Sequence, residues 1–326
     1  MVITVEHLTK RFGRFTAVDD LTFEVNAGEI LAFLGPNGAG KTTTMRMLTG
    51  FLPPTRGRVT IDGFDMLDRP LDAKRRLGYL PENPPLYPEM TVRSYLGFVA
   101  EIKDVPAARR RAQVACAIER ARLDEVAGKR INALSKGYKQ RVGLAQAIVH
   151  EPPVLVLDEP TSSLDPKQRV EVRELIAGLR GSHTVILSTH ILSEASEIAD
   201  RVFIINRGRV MAVDTPARLG QQLRSREVVT VEIVSPGADG AEALRQDLAA
   251  LSGVLAVSVE DAGATLRARV ESEPERDVRG DVAAAIAARG WRLIGLGAEA
   301  VSLEQIFLKL TAAPTEASDV TPDRPS

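Results

Sequence analysis

Apolar and polar positions follow strand-like patterns at the start of the chain. VITVEHL (2–8) and LTFEVNAGEILAFLG (21–35) read as strands, TTTMRMLTGFL (42–52) as a helix, and GRVTIDG (57–63) as another strand. From about Pro84 to His150 the spacing turns helical, most clearly in ARRRAQVACAIERARL (108–123) and GYKQRVGLAQAIVH (137–150). PVLVLDEP (153–160) and HTVILST (183–189) are short continuous apolar runs that end in polar residues. Strands buried on both faces of a parallel sheet have that character. The helical stretches behind them, PKQRVEVRELIAGLRG and LSEASEIADR, complete an α/β sheet carrying a helical insert.

The pattern changes after RVFIINRGRVMAVDTPARL, a strand pair and short helix ending at Leu219. From about Arg226 it runs VVTVEIV (strand), AEALRQDLAALSG (helix), LAVSVED and TLRARVE (strands), DVAAAIAARG (helix) and WRLIGLGA (strand). That β-α-β-β-α-β order is the ferredoxin-like split. SLEQIFLKL is expected to be a closing helix, and the aperiodic, Pro- and Thr-rich residues 311–326 a disordered tail. The expected organisation is an α/β domain over 1–220 with its helical insert at about 84–150, then a small α+β domain over 226–310.

Composition narrows the function classes. With 42 basic against 43 acidic side chains the chain has no bulk charge for a polyanion, so nucleic acid is not an expected partner. No segment approaches the ~20 uncharged apolar residues needed to cross a bilayer, and MVITVEHLTKRF lacks the form of a secretory signal. A cytoplasmic protein is expected. Cys116 is the single cysteine, which excludes an intramolecular disulfide and a cysteine-cluster metal site.

The chemistry begins at GPNGAGKTT, Gly35, Pro36, Asn37, Gly38, Ala39, Gly40, Lys41, Thr42 and Thr43. It fits the phosphate-loop pattern and lies between an apolar strand and a helix, where backbone amides and the helix N-terminus can face phosphate. Lys41 would reach the β- and γ-phosphates, and the Thr42 hydroxyl would bind Mg²⁺. In VLVLDEP an apolar strand delivers Asp158, suited to hold Mg²⁺ beside such a loop, and Glu159, placed to orient or deprotonate water. An acidic pair in that position also serves to start a helix.

LSKGYKQR (134–141) adds a Ser-x-Gly turn opening a helix, a second place that offers a hydroxyl, amides and dipole to an anion. The succession of phosphate loop, LSKGYKQR, VLVLDEP, SSLDP and STH (188–190) resembles the nucleotide-binding subunit of ATP-binding cassette (ABC) transporters. The resemblance covers about Val2 to Leu219. It implies a P-loop cassette with an N-terminal antiparallel β part, hydrolysing ATP with Mg²⁺. It further implies a head-to-tail homodimer in which Ser135 and Gly137 of one chain complete the ATP site of the other. By the same resemblance Phe12 stacks on adenine, with Phe15 as its neighbour and competitor. Asp165 communicates across the dimer or caps the helix at Pro166, and His190 contacts the γ-phosphate and holds Glu159.

Three departures from the family pattern stand out. Glu82, in LGYLPENPPLYPEM, replaces the usual glutamine that senses metal and γ-phosphate; it keeps an oxygen acceptor but loses the amide donors. Lys136 and Tyr138 replace glycine and glutamine in the signature, and Ser163 stands where glycine is frequent. Since Glu159 and His190 are present, the sites are expected to be competent. LSEASEIADRVFIINRGRVMAVDTPARL (192–219) and SLEQIFLKLT (302–311) resemble the single-cassette exporters of the ABC-2, drug-resistance and gliding-motility type, which implies the ATPase subunit of an exporter. Separate polytopic membrane subunits would hold it on the inner face of the cell membrane. A soluble cassette ATPase acting on nucleic acid or ribosomes is the alternative.

Overall fold

The computed structural model describes residues 2–162, 164–222, 227–237, 239–273 and 276–298. The expected closing helix, the tail and Ser163 lie outside them. Two compact units divide between Pro216 and Ala217.

The first unit opens with β1 (Ile3–Phe12) and β2 (Phe15–Val25), an antiparallel pair joined through Gly13. β3 (Ile30–Leu34), α1 (Lys41–Leu48), β4 (Arg56–Ile61), β5 (Phe64–Asp65), α2 (Pro70–Arg75) and β6 (Leu77–Leu80) follow. The long apolar run 21–35 is therefore two strands, broken at Asn26–Glu29, where the Glu29 carboxylate accepts the Asn26 backbone N–H. Helix α1 stops short of Phe51, because Gly50 takes a left-handed φ of 65°.

The helical insert comprises α3 (Val92–Ile102), α4 (Ala107–Arg120) and α5 (Lys136–Ile148). It returns to the sheet through β7 (Val154–Asp158), α6 (Pro166–Ala177), β8 (Thr184–Thr189), α7 (Leu192–Ile198), β9 (Arg201–Asn206) and β10 (Arg209–Asp214). α8 (Pro216–Gln222) follows and carries the division between the two units.

The described strands of this unit form two sheets. One has the order β2-β1-β4-β5, antiparallel throughout; the other has the order β10-β9-β3-β8-β7-β6. In the second, β9, β3, β8, β7 and β6 run parallel and only the edge strand β10 is antiparallel. Every residue of β3, β7 and β8 is buried, which is why these strands read as unbroken apolar runs. Phe23 of the first sheet packs on Phe33 and Phe203 of the second, with ring centroids 5.2 and 5.0 Å away, and Phe33 stacks on Phe203 at 4.4 Å. The shared core thus lies directly behind the strand that leads into the phosphate loop.

The second unit contains β11 (Glu227–Val234), α9 (Gly240–Ala249), β12 (Val254–Asp261), β13 (Thr265–Ser272), α10 (Arg279–Ala288) and β14 (Leu293–Ala298). Its sheet order is β12-β13-β11-β14, antiparallel throughout, which is the ferredoxin-like arrangement. Leu244, Leu248, Val282 and Ile286 of the two helices close over Val229, Val231, Ile233, Leu266 and Val270.

Candidate functional site

Because β3, β6, β7 and β8 are parallel, their carboxyl ends emerge along one edge of the sheet. Clefts of α/β proteins form there. The four ends deliver the loop 35–40, Glu82, the pair Asp158–Glu159 and the run Ser188–His190. A cleft of about 340 Å³ results, lined by Asn37, Gly38, Ala39, Gly40, Lys41, Thr42, Thr43, Glu82, Glu159 and His190, with Phe15, Ala17 and Ser162 on its walls.

The loop owes its shape to Gly40. This residue caps α1 at φ 105°, a left-handed conformation, and a Cβ there would stand 2.6 Å from the Ala17 carbonyl oxygen. Glycine alone lets the chain pass β2 and enter the helix. Lys41 is buried, 5% exposed, and its ammonium donates to the Gly35 carbonyl at 2.7 Å and the Pro36 carbonyl at 3.2 Å, and pairs with Glu159 Oε1 at 3.3 Å.

Asp158 is buried beneath the cleft, where its Oδ1 accepts the Ser188 hydroxyl at 2.6 Å and the Thr42 hydroxyl at 3.3 Å. Burial pushes its carboxyl above the usual range, the two hydroxyl donors oppose the shift, and the charges of Glu159 and Glu82 reinforce it. Glu159 follows with φ 48°, a left-handed conformation costing about 1–3 kcal/mol in a residue with a side chain. Its backbone N–H donates to Ser188 Oγ at 2.9 Å and its Oε2 meets His190 Nδ1 at 2.8 Å. The acidic pair is thus not a helix-starting device: the next helix begins at Pro166, capped by Asp165, whose carboxylate accepts the Gln168 N–H at 2.9 Å.

Phe12, Ser135 and Gly137 do not line this cleft; the last two are expected at the site of a second copy. Phe12, the cross-strand partner of Phe15, lies beneath the Lys10 ammonium, 5.3 Å from its ring centroid, and the cleft wall holds Phe15 instead. Ser135 and Gly137 are not among the cleft-lining residues. Ser135 is exposed and caps α5, accepting the Tyr138 N–H at 3.4 Å. Gly137 is closely seated against α6, since a Cβ would stand 2.5 Å from the Gln168 amide oxygen. Sequence reasoning placed Ser188 within a motif but missed its two hydrogen bonds to the acidic pair, one donated to the Asp158 carboxylate and one accepted from the Glu159 N–H; its position at a strand end before a histidine was the available signal.

Asp158, Glu82 and the Thr42 hydroxyl are hard oxygen donors, the chemistry that suits Mg²⁺. Among the described residues no group of three or more His, Cys, Asp or Glu side chains is arranged to hold a metal by itself.

A glycine-rich loop at a strand-helix junction, a lysine seated in it and an acidic pair at the end of a neighbouring parallel strand define a P-loop nucleoside triphosphatase. The ABC transporter family model matches residues 18–162. An uncharacterized ABC transporter ATP-binding protein of Bacillus subtilis is 41% identical over 209 residues, 64% of this chain and 69% of that protein. A Nod factor export ATP-binding protein I of Burkholderia lata is 36% identical over 312 residues, 95% of this chain and 96% of its own. Among solved structures, an ATP-binding subunit of an ABC transporter aligns over 68% of this chain and 93% of its own, with a TM-score of 0.63 and 32% identity. A dimeric, post-hydrolysis ATP-binding cassette bound to ADP and Pi aligns over 65% of this chain and 98% of its own, with a TM-score of 0.60 and 25% identity. The chain belongs to the ABC transporter family and is an ATP-binding, ATP-hydrolysing subunit of such a transporter.

Proposed function

We propose that the cleft holds the ATP phosphates over the loop 35–43, and that Glu159 and His190 activate the attacking water. The observation that carries this reading is the Glu159 carboxylate, held between Lys41 and His190 at the end of β7 in a strained conformation. A carboxylate so fixed takes or orients a proton without having to reorganise. With its Nδ1 on Glu159, the His190 ring leaves Nε2 to face the γ-phosphate. Lys41 moves its ammonium from the loop carbonyls onto phosphate oxygens, and Phe15, rather than Phe12, offers its ring to the adenine. Thr42, Asp158 and Glu82 would hold Mg²⁺, which when bound neutralises charge on the phosphates.

Ser135, Gly137 and Asp165 complete the site of a second copy. Supporting this, the Ser135 helix start is exposed and outside the lining of the chain's own cleft, and among the described residues the cleft has a single lysine against Glu82 and Glu159. One hydroxyl and one helix N-terminus from a partner supply the missing anion contacts.

The chain acts with membrane subunits, as ATP-binding subunits of this family do, and no described helix is long and apolar enough to cross a membrane. The reading adds separate polytopic subunits bound at the inner face of the membrane. A groove of about 470 Å³ beside Glu82, lined by Arg46, Phe51, Tyr79, Pro81, Asn83, Pro85 and Gln146, is the surface proposed for them. Exposed Phe51, Tyr87 and Phe98 nearby suit a protein partner better than nucleic acid. Export is the proposed direction, since the relatives named for export match the chain through both units.

Mixing Lys41→Ala chains with Ser135→Arg chains tests the shared site. Each variant alone should be inactive, and the mixture should regain up to one working site per heterodimer. No regain in heterodimers verified by tag pull-down would count against completion between subunits.

A further inference from the structure

We propose that Glu194 is a positioning residue for ATP hydrolysis, one carboxylate oxygen tying the end of β7 to the end of β8 and so fixing Glu159 relative to His190. This rests on the roles given to Glu159 and His190 above. Glu194 lies on the first turn of α7 and is 2% exposed. Its Oε2 accepts the Thr161 hydroxyl at 2.7 Å and the Thr189 hydroxyl at 3.0 Å. Thr161 comes two residues after Glu159, and Thr189 immediately precedes His190. Thr189 Oγ1 also accepts the Ile191 N–H at 3.0 Å, so the loop carrying His190 is bonded on both sides of the histidine.

The arrangement is matched one layer away. Ser188 bonds to the Asp158 carboxylate and to the Glu159 N–H, pinning the two strand ends ahead of Glu159, while Glu194 pins them beyond it. Between the two clamps Glu159 adopts its left-handed φ of 48°. A residue in that conformation persists only where its surroundings over-determine it. Neither Glu194 nor either threonine lines the cleft, so the carboxylate acts through Glu159 and His190 and does not touch nucleotide. Glu194 Oε1 is buried with no hydrogen-bond partner among the described residues, a net cost that an apolar side chain would avoid.

In the full chain, Glu194→Ala should lower kcat for ATP by about 10- to 100-fold, the loss produced by a shift of about 1 Å at the reacting groups. KM for ATP should stay within about threefold, because the phosphate loop is untouched. Glu194→Gln keeps an oxygen that accepts both hydroxyls and should restore kcat to within about threefold of the parent. Thr161→Val removes the donor from the β7 side, leaves Glu194 and the Thr189 bond to the Ile191 N–H in place, and should reproduce the kcat loss; combined with Thr189→Val it removes both donors, and Thr161→Val with the double valine variant decides the matter if Glu194→Ala does not fold. Unchanged kcat in the double valine variant, or a loss that Glu194→Gln does not recover, overturns the proposal. Glu159→Gln, assayed alongside, separates the two levels: if it retains turnover the role of Glu159 fails, whereas turnover lost there but kept in the double valine variant rejects Glu194 alone.

Discussion

The parallel sheet of the first unit and the antiparallel sheet of the second bury their apolar residues in opposite ways. In β3, β7 and β8 both faces are covered. In β13 buried and exposed positions alternate, and its open face carries Arg267 and Arg269 beside Glu232, Ser258 and Glu260. Being parallel, the first set sends its carboxyl ends to one edge, so Lys41, Asp158, Glu159 and His190 converge although they are far apart in sequence. The antiparallel strands of the second unit send successive ends to opposite edges, and their polar groups are spread over a face, partly paired with each other. The chemistry follows direction of pairing more than composition.

The largest test of that contrast is Glu159→Gln. It should reduce ATP turnover by at least about 10²-fold, the contribution of a positioned base, while ATP binding persists. Turnover measured by phosphate release together with nucleotide affinity checks it; a loss of binding equal to the loss of turnover would mean the residue serves the fold of the cleft.

A core substitution in the second unit comes next. Leu266→Ala, at a fully buried position of β13, should cost that unit about 2–5 kcal/mol in denaturant unfolding and leave ATP turnover within about twofold. Turnover falling in step with stability would break the separation between a catalytic and a non-catalytic sheet.

The smallest effect belongs to the open face. Arg267 Nε lies 3.1 Å from Glu232 Oε1 with both side chains partly solvated, and Arg267→Ala should cost about 0.2–1 kcal/mol. A cost of several kcal/mol would show that this face is covered in the working protein.

Much of the catalytic unit can be read before folding because its signals are local. The phosphate loop needs its glycines, lysine and threonine within nine residues, flanked by a strand and a helix. Asp158 and Glu159 end an apolar run whose continuous character already indicates a doubly buried strand. The ferredoxin-like order of the second unit is equally legible, since its strands alternate and its helices keep a helical period. Which of Phe12 and Phe15 lines the cleft is not legible in the sequence: the two face each other across a hairpin, and the ring that reaches the cleft depends on how the hairpin meets the phosphate loop. Ser188 and Glu194 were harder still, because a hydroxyl or carboxylate at those positions has no meaning until β7 and β8 lie side by side.

The sequence by itself determined the class of chemistry, the alternation of strands and helices around it and the candidate residues of the cleft, because each depends on neighbours a few positions away and on burial periodicity. The tertiary structure decided which of those residues share a cleft, which aromatic lines it, and how Ser188 and Glu194 hold Glu159 in a conformation it would not choose alone. The hydrogen bonds that join the ends of β7 and β8 cross 29 to 33 residues of chain and are made only when those parallel strand ends lie side by side.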